Sequence, residues 1–93
     1  MTIRLTPSAV EDLTAARDYY RSISDELELQ FLDQLDVTIE RLRIFPKGAP
    51  PVDGFPGVRR ARMRQFPYGV FYRLDGILIL RVLHSRRQVP ELA

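Results

Sequence analysis

The most informative part of the sequence is Val58-Arg-Arg-Ala-Arg-Met-Arg-Gln-Phe-Pro-Tyr-Gly-Val-Phe-Tyr-Arg-Leu74, followed after Asp75-Gly76 by Ile77-Leu-Ile-Leu-Arg-Val-Leu-His-Ser85. Its apolar residues recur with a period of two, and β-branched and aromatic residues are frequent, which is typical of strands. Asp-Gly between two such runs is a strong hairpin signal. The stretch therefore predicts three consecutive strands, at 58–65, 66–74 and 77–85.

Two helices are predicted upstream of these strands. Thr6-Pro7 is a helix opening, with Thr as N-cap and Pro at the first helical position, and apolar residues at helical spacing continue to Ile23. Ser24 then caps a second helix, which Pro46 ends. Two apolar helices joined by almost no loop indicate an antiparallel helical hairpin.

The order of the elements gives the fold class. Residues 2–5 form a short β-prone start, and 47–57 contain Pro and Gly at a density typical of a loop. The predicted order β-α-α-β-β-β indicates an α+β domain, with the helical hairpin packed on one face of a mostly antiparallel sheet. A chain of 93 residues fits one domain, 1–93.

Strand alternation divides the last three strands between two faces. The face toward the helices is expected to carry Ala61, Met63, Leu78, Leu80 and Val82. The other face is expected to carry Arg60, Arg62, Arg64, Ile79 and Arg81, with Tyr68 and Tyr72 as further candidates. No further element is available to cover this second face. It is therefore a candidate binding surface, unless the long Arg stems lie over its apolar residues and shield them.

The composition excludes several classes of function. The chain has no Cys and one His, so a disulfide framework, a thiol nucleophile and a multi-His metal site are excluded, and no metal or cofactor is expected. The longest aliphatic run, 77–80, is far too short for a membrane span. With no signal sequence at the N-terminus, we expect a cytoplasmic protein without membrane contact.

The charge is distributed unevenly. Residues 1–46 hold five Arg against nine Asp and Glu, whereas 47–93 hold nine Lys and Arg against three Asp and Glu. Arg presents a planar fork that suits phosphates and carboxylates. The basic half therefore suits an anionic partner, and the alternative is that the two halves neutralise each other across the fold.

Three segments carry a family resemblance: Ala9-Val-Glu-Asp-Leu-Thr-Ala-Ala-Arg-Asp-Tyr-Tyr20, then Val58-Arg-Arg-Ala-Arg-Met63 with Tyr68-Gly-Val-Phe-Tyr-Arg73, and finally Arg81-Val-Leu-His-Ser-Arg-Arg87. In this order and spacing the chain resembles toxins of the ParE/RelE superfamily from bacterial type II toxin–antitoxin modules. The resemblance spans essentially the whole chain, and its last segment favours the ParE branch.

The resemblance implies a growth inhibitor that a cognate antitoxin neutralises. ParE members act on DNA gyrase, whereas RelE members cut mRNA in the ribosomal A site. Arg60 and Arg62 match basic positions of RelE toxins, and Arg86 or Arg87 lies near another. Gly69, however, stands where RelE toxins carry Arg, and no Tyr follows Arg87.

These differences favour a ParE-like inhibitor that binds gyrase without chemistry of its own. A ribosome-dependent mRNA endonuclease and a non-toxic nucleic-acid-binding module remain alternatives. No catalytic residue is assigned. The residues expected to bind the target or the antitoxin are Arg60, Arg62, Arg64, Tyr68, Arg81, Arg86 and Arg87. His84 is expected to make structural hydrogen bonds, and Asp12 to lie on a solvated helix face.

Overall fold

The computed structural model describes residues 2–86. Its elements are β1 (Ile3–Leu5), α1 (Pro7–Ile23), α2 (Asp25–Ile44), β2 (Val58–Arg62), β3 (Tyr68–Arg73) and β4 (Ile77–His84). The sheet order is β1-β4-β3-β2, with β1 parallel to β4 and the other neighbours antiparallel. The predicted α+β order and the mostly antiparallel sheet are confirmed. No helix in this part of the chain is long and apolar enough to cross a membrane.

The helical hairpin is stabilised because its capping residues form hydrogen bonds with backbone groups at the helix ends that have no partner within the helix. The Thr6 hydroxyl accepts from the Ala9 N–H and donates to the Leu80 carbonyl, which fixes the start of α1 against β4. Ser24 serves both helices. Its N–H donates to the Tyr20 carbonyl at the end of α1, and its hydroxyl accepts from the Leu27 N–H at the start of α2. One residue therefore makes the turn.

The main core lies between the hairpin and the helix-facing side of the sheet, here called the near face. Tyr20 and Phe31 stack with ring centroids 5.2 Å apart, and Phe66 approaches both edge-on, at 4.9 Å and 5.4 Å. Tyr68 packs against the same cluster. Tyr72 is fully buried, and its hydroxyl donates to the Pro46 carbonyl at 2.7 Å.

The predicted faces of β4 are partly wrong, because the strand contains a β-bulge. Phe71 pairs with Arg81 but Tyr72 pairs with Ile79, so Leu80 is an extra residue in the ladder. Ile79 therefore packs in the main core, whereas Leu78 and Leu80 face the opposite side, here called the far face. The predicted near-face positions Ala61, Met63 and Val82 are confirmed.

Tyr68 and Tyr72 were also assigned to the wrong face, since both pack with the near-face core. The far face is moreover partly covered. The loop before β2 folds back so that Val52 and Phe55 pack on Val58, Phe71, Leu80 and Leu83, which form a second small core. The expectation of an uncovered face is therefore wrong, because the loop supplies the missing apolar cover.

The predicted strand 58–65 is too long at its C-terminal end. β2 stops at Arg62, and Gln65 in the connection has a φ of 68°, a left-handed conformation that cannot continue a strand. Pro67 lacks an N–H, and β3 begins only at Tyr68. Arg64 consequently lies in the β2–β3 connection and not on a strand face with Arg60 and Arg62.

Candidate functional site

Arg60 and Arg62 share the far face of β2, which is an edge strand. The Arg60 side chain is half-buried because its stem lies over Gly69. A Cβ at Gly69 would stand only 3.1 Å from the Arg60 Cγ and Cδ atoms. Arg62 is exposed. Within residues 2–86, neither guanidinium group has a hydrogen bond or an ion pair, so both are available to an anionic ligand.

A groove of about 580 Å³ runs beside the edge of β2, and we call it the β2 groove. Its walls are the end of α2, the segment 48–50 and the strand itself. Its lining residues are Arg41, Leu42, Phe45, Gly48, Ala49, Pro50, Arg60, Ala61, Arg62, Met63 and Arg64. Four of these are Arg and none is acidic, so the groove combines an apolar lining with positive charge.

Arg41 ties the two sides of the β2 groove together. It lies in the last turn of α2, and its Nη2 donates to the Arg62 carbonyl at 2.6 Å. This hydrogen bond occupies a backbone acceptor on the outer edge of β2 and holds the Arg41 guanidinium beside the groove. The positive charge there is thus partly fixed in place by the fold.

A second depression, of about 240 Å³, lies at the end of the sheet and includes Arg60, Arg62, Tyr68 and His84 in its lining. The Tyr68 and His84 rings meet edge-on with centroids 5.4 Å apart. The Nδ1 atom of His84 accepts from the Arg86 N–H at 3.2 Å. The single His therefore lies beside the two unpaired Arg side chains, and its predicted structural hydrogen bond is present.

Arg81 is not part of this surface. Its Nε and Nη2 atoms donate to the two carboxylate oxygens of Asp12 on α1, at 2.8 Å and 3.0 Å. The Asp12 carboxylate also accepts from the Val82 N–H at 2.9 Å. Asp12 was therefore wrongly expected to be solvated. Its carboxylate accepts a hydrogen bond from the Val82 N–H on the outer edge of β4, beyond Ile79, which is the last residue that pairs with β1.

The structure brings together only part of the predicted site. Arg60, Arg62 and Arg64 surround the β2 groove, whereas Tyr68 packs into the core and borders only the depression at the end of the sheet. Arg86 lies in the turn after β4. Arg87 lies outside the described residues. Among those residues, no group of three or more acidic or His side chains is arranged to hold a metal ion.

The comparisons with known proteins agree with this architecture. The family model described as the ParE toxin of the type II toxin–antitoxin system, parDE, matches residues 3–89. The chain belongs to the ParE toxin family. Among solved structures it is similar to a chain of the chromosomal ParDE toxin–antitoxin system from P. aeruginosa, with a TM-score of 0.78 and 28% sequence identity. The match covers 92% of this chain and 97% of that chain. No curated protein sequence matches it.

Two groove residues of this ParE-family toxin were missed by the sequence reasoning, namely Arg41 and Phe45. Arg41 looks like an ordinary basic residue in the last turn of a helix. Phe45 looks like a core residue beside Pro46, yet it is 67% exposed. An aromatic residue immediately before a helix-ending Pro is a sequence signal that could have marked it, but only the tertiary structure shows that Phe45 lines the groove.

Proposed function

We propose that this ParE-family toxin acts in the cytoplasm by binding DNA gyrase, and that a cognate antitoxin neutralises it. The observation that carries the proposal is the set of arginines around β2. The guanidinium groups of Arg60 and Arg62 have no hydrogen bond or ion pair within residues 2–86, and Arg64 follows in the connection to β3. Self-repulsion within such a set is easiest to explain by an anionic surface on the partner.

The chemistry of Arg supports binding over catalysis. A guanidinium group stays protonated near neutral pH, so it neither donates nor accepts a proton readily. It does form bidentate hydrogen bonds with carboxylates and phosphates. An inhibitor that acts by occupying a surface needs only the second property.

The helical hairpin offers a separate apolar surface that suits an antitoxin. Val10, Leu13, Leu32 and Leu35 border a depression of about 240 Å³ between the helices and β1. Val10 is half exposed, and Leu29 and Val37 on α2 are similarly open. Amphipathic partner segments commonly bury such side chains. The P. aeruginosa structure similar to this chain is that of a ParDE toxin–antitoxin system, which supports the same assignment.

The decisive experiment is pulse-labelling of DNA and protein synthesis within minutes of inducing the toxin without antitoxin in a bacterial host. Early loss of DNA synthesis with continuing translation is expected. The double variant Arg60→Ala/Arg62→Ala should remove the effect. Arg73→Ala is the matched control, because Arg73 is an exposed arginine on β3 that lines neither the β2 groove nor the depression at the end of the sheet. Unchanged DNA synthesis at equal expression would contradict the proposal.

One observation favours a second candidate, a ribosome-dependent mRNA endonuclease. His84 lies in the same depression as Arg60 and Arg62, and His is the side chain best suited to proton transfer near neutral pH. This candidate predicts early loss of translation, mRNA cuts at fixed codon positions, and loss of those cuts in His84→Gln. Intact mRNA after induction would exclude it.

A further inference from the structure

The β2 groove contains an exposed aromatic side chain on a backbone that is held in place. Phe45 is 67% exposed and directly follows the last residue of α2. Its N–H donates to the Arg41 carbonyl at 2.8 Å, and its carbonyl accepts from the Gly48 N–H at 3.0 Å. The carbonyl of the next residue, Pro46, accepts from the hydroxyl of the buried Tyr72. The side chain is therefore open to a ligand, although the backbone that carries it is fixed.

An exposed aromatic ring at a fixed position suits a flat ligand. A nucleobase stacks on such a ring, and every base can do so because each has a π-face. Since the backbone at Phe45 is already ordered, less conformational entropy is lost on binding than for a ring on a mobile loop. The groove therefore provides a stacking platform for one base.

Positive charge surrounds Phe45 in the groove. Arg41, Arg60, Arg62 and Arg64 contribute to the lining, which includes neither Lys nor an acidic residue. Within residues 2–86, the guanidinium groups of Arg60, Arg62 and Arg64 form no hydrogen bond or ion pair. Arg41 uses only its Nη2 atom, which donates to the Arg62 carbonyl. Because guanidinium groups form bidentate hydrogen bonds with phosphates, the groove suits a chain of phosphates.

The combination of ring and charge distinguishes between classes of anionic ligand. An acidic peptide would pair with the arginines, but its carboxylates have no flat face to stack on Phe45. A DNA duplex presents phosphates, but its bases are stacked on one another and do not reach a side chain in a groove. A single strand presents phosphates and unstacked base faces together, so it matches both features.

We propose that the β2 groove binds single-stranded DNA, with one base stacked on Phe45 and neighbouring phosphates bound by Arg60, Arg62 and Arg64. Arg41 adds positive charge from the opposite wall of the groove. The choice of DNA over RNA rests on the proposed function, because gyrase acts on DNA. The binding itself requires only this chain, so the toxin contacts DNA directly and does not depend on gyrase to do so.

Salt dependence tests the phosphate contacts. The purified full chain is titrated into a fluorescein-labelled oligothymidylate of about 12 nucleotides, and fluorescence anisotropy is recorded between about 50 and 200 mM NaCl. Three or four contacts to a single strand predict that the affinity falls about 20- to 50-fold over this range. Arg62→Ala should lower the slope of log affinity against log salt by about 0.7. Arg73→Ala is the matched control, because this exposed arginine lies outside the groove, and it should leave the slope unchanged.

A tryptophan substitution tests the stacking. The chain has no Trp, so Phe45→Trp adds a single indole to the groove, and base stacking should quench its fluorescence as the oligothymidylate is added. Ile44→Trp is the matched control, because Ile44 is 57% exposed but does not line the groove, and it should not be quenched. Phe45→Ala should bind at least about fivefold more weakly, with the salt dependence unchanged. All three substitutions replace exposed side chains and leave the core intact.

Several outcomes would overturn single-strand binding. They are no binding at low salt, equal quenching in the two Trp variants, unchanged affinity in Phe45→Ala, and tighter binding of the matching duplex, of an oligouridylate or of a polyglutamate peptide. Binding is measured on the purified chain, whereas the gyrase proposal is tested by DNA synthesis in cells. A toxin that stops DNA synthesis without binding the oligothymidylate would contradict only single-strand binding. Binding without any loss of DNA synthesis would contradict only the gyrase proposal.

Discussion

Replacement of Asp12 by Ala tests how the fold holds the end of β4, which carries His84 and leads to Arg86. The Asp12 carboxylate accepts three hydrogen bonds, two from Arg81 and one from the Val82 N–H. The carboxylate side chain is 10% exposed and the Arg81 side chain 23%. The pair is therefore largely shielded from water, and its loss should be felt in stability.

The size of the effect follows from what the substitution leaves behind. An unpaired buried N–H costs about 1–3 kcal/mol, and breaking a buried ion pair by removing one partner costs about 3–5 kcal/mol in total. Because the Arg81 guanidinium keeps some access to water, we expect the lower end, about 3 kcal/mol. For a domain of this size that corresponds to a melting temperature lower by about 12–24 °C.

The assay is urea unfolding followed by circular dichroism, with Asp18→Ala as control. Asp18 is an exposed Asp on the same helix, and its loss should change the unfolding free energy by less than about 0.5 kcal/mol. Asp12→Asn keeps an acceptor for the Val82 N–H and should fall between the two. A double-mutant cycle with Arg81→Met isolates the coupling. A loss of unfolding free energy below about 1 kcal/mol in Asp12→Ala would show that the Asp12–Arg81 pair does not stabilise the end of β4.

Three further perturbations test other parts of the fold. Burial raises the pKa of Tyr20 to about 12. The folded chain therefore keeps a proton that the unfolded chain loses, and stability should fall from about pH 10 to 12 by up to about 1.4 kcal/mol per unit. Tyr20→Phe should flatten that alkaline slope in unfolding curves. Gly69→Ala adds a Cβ 3.1 Å from the Arg60 stem. It should cost about 1 kcal/mol and shift the Arg60 Nε–H resonance, and an unchanged resonance would contradict the packing. Ser24→Ala removes the α2 cap and should lower the unfolding free energy by about 1 kcal/mol, seen as a lower urea midpoint at constant slope.

The helices and the element order were predictable because their signals are local. The cap at Thr6, the Pro at the first helical position and the apolar spacing predicted the bounds of α1 as the structure has them, Pro7–Ile23. The Asp75-Gly76 turn likewise placed the start of β4. Each of these signals depends on residues within one or two turns of the chain, so tertiary structure did not have to be known.

The assignment of residues to the two sheet faces was wrong where it depends on pairing between residues far apart in the sequence. The bulge at Leu80 exists only in the register between β3 and β4. Period-two counting cannot hold on both sides of it, so Val82 was assigned correctly whereas Leu78 and Ile79 were not. The cover of the far face by Val52 and Phe55 depends on how a loop docks. Arg64 was misplaced because Gln65 adopts a left-handed conformation, which is uncommon outside Gly.

The Arg81–Asp12 ion pair and the loop cover together explain why the candidate surface lies at an edge and not on the face of the sheet. Arg81 is bound by Asp12, so the arginine row does not extend across β4. Val52 and Phe55 then occupy the apolar part of the far face. The Arg60 and Arg62 guanidinium groups, which have no hydrogen bond or ion pair in residues 2–86, remain at β2. An anionic partner surface that meets these guanidinium groups gains association rate from the charge, and this gain falls as the salt concentration rises.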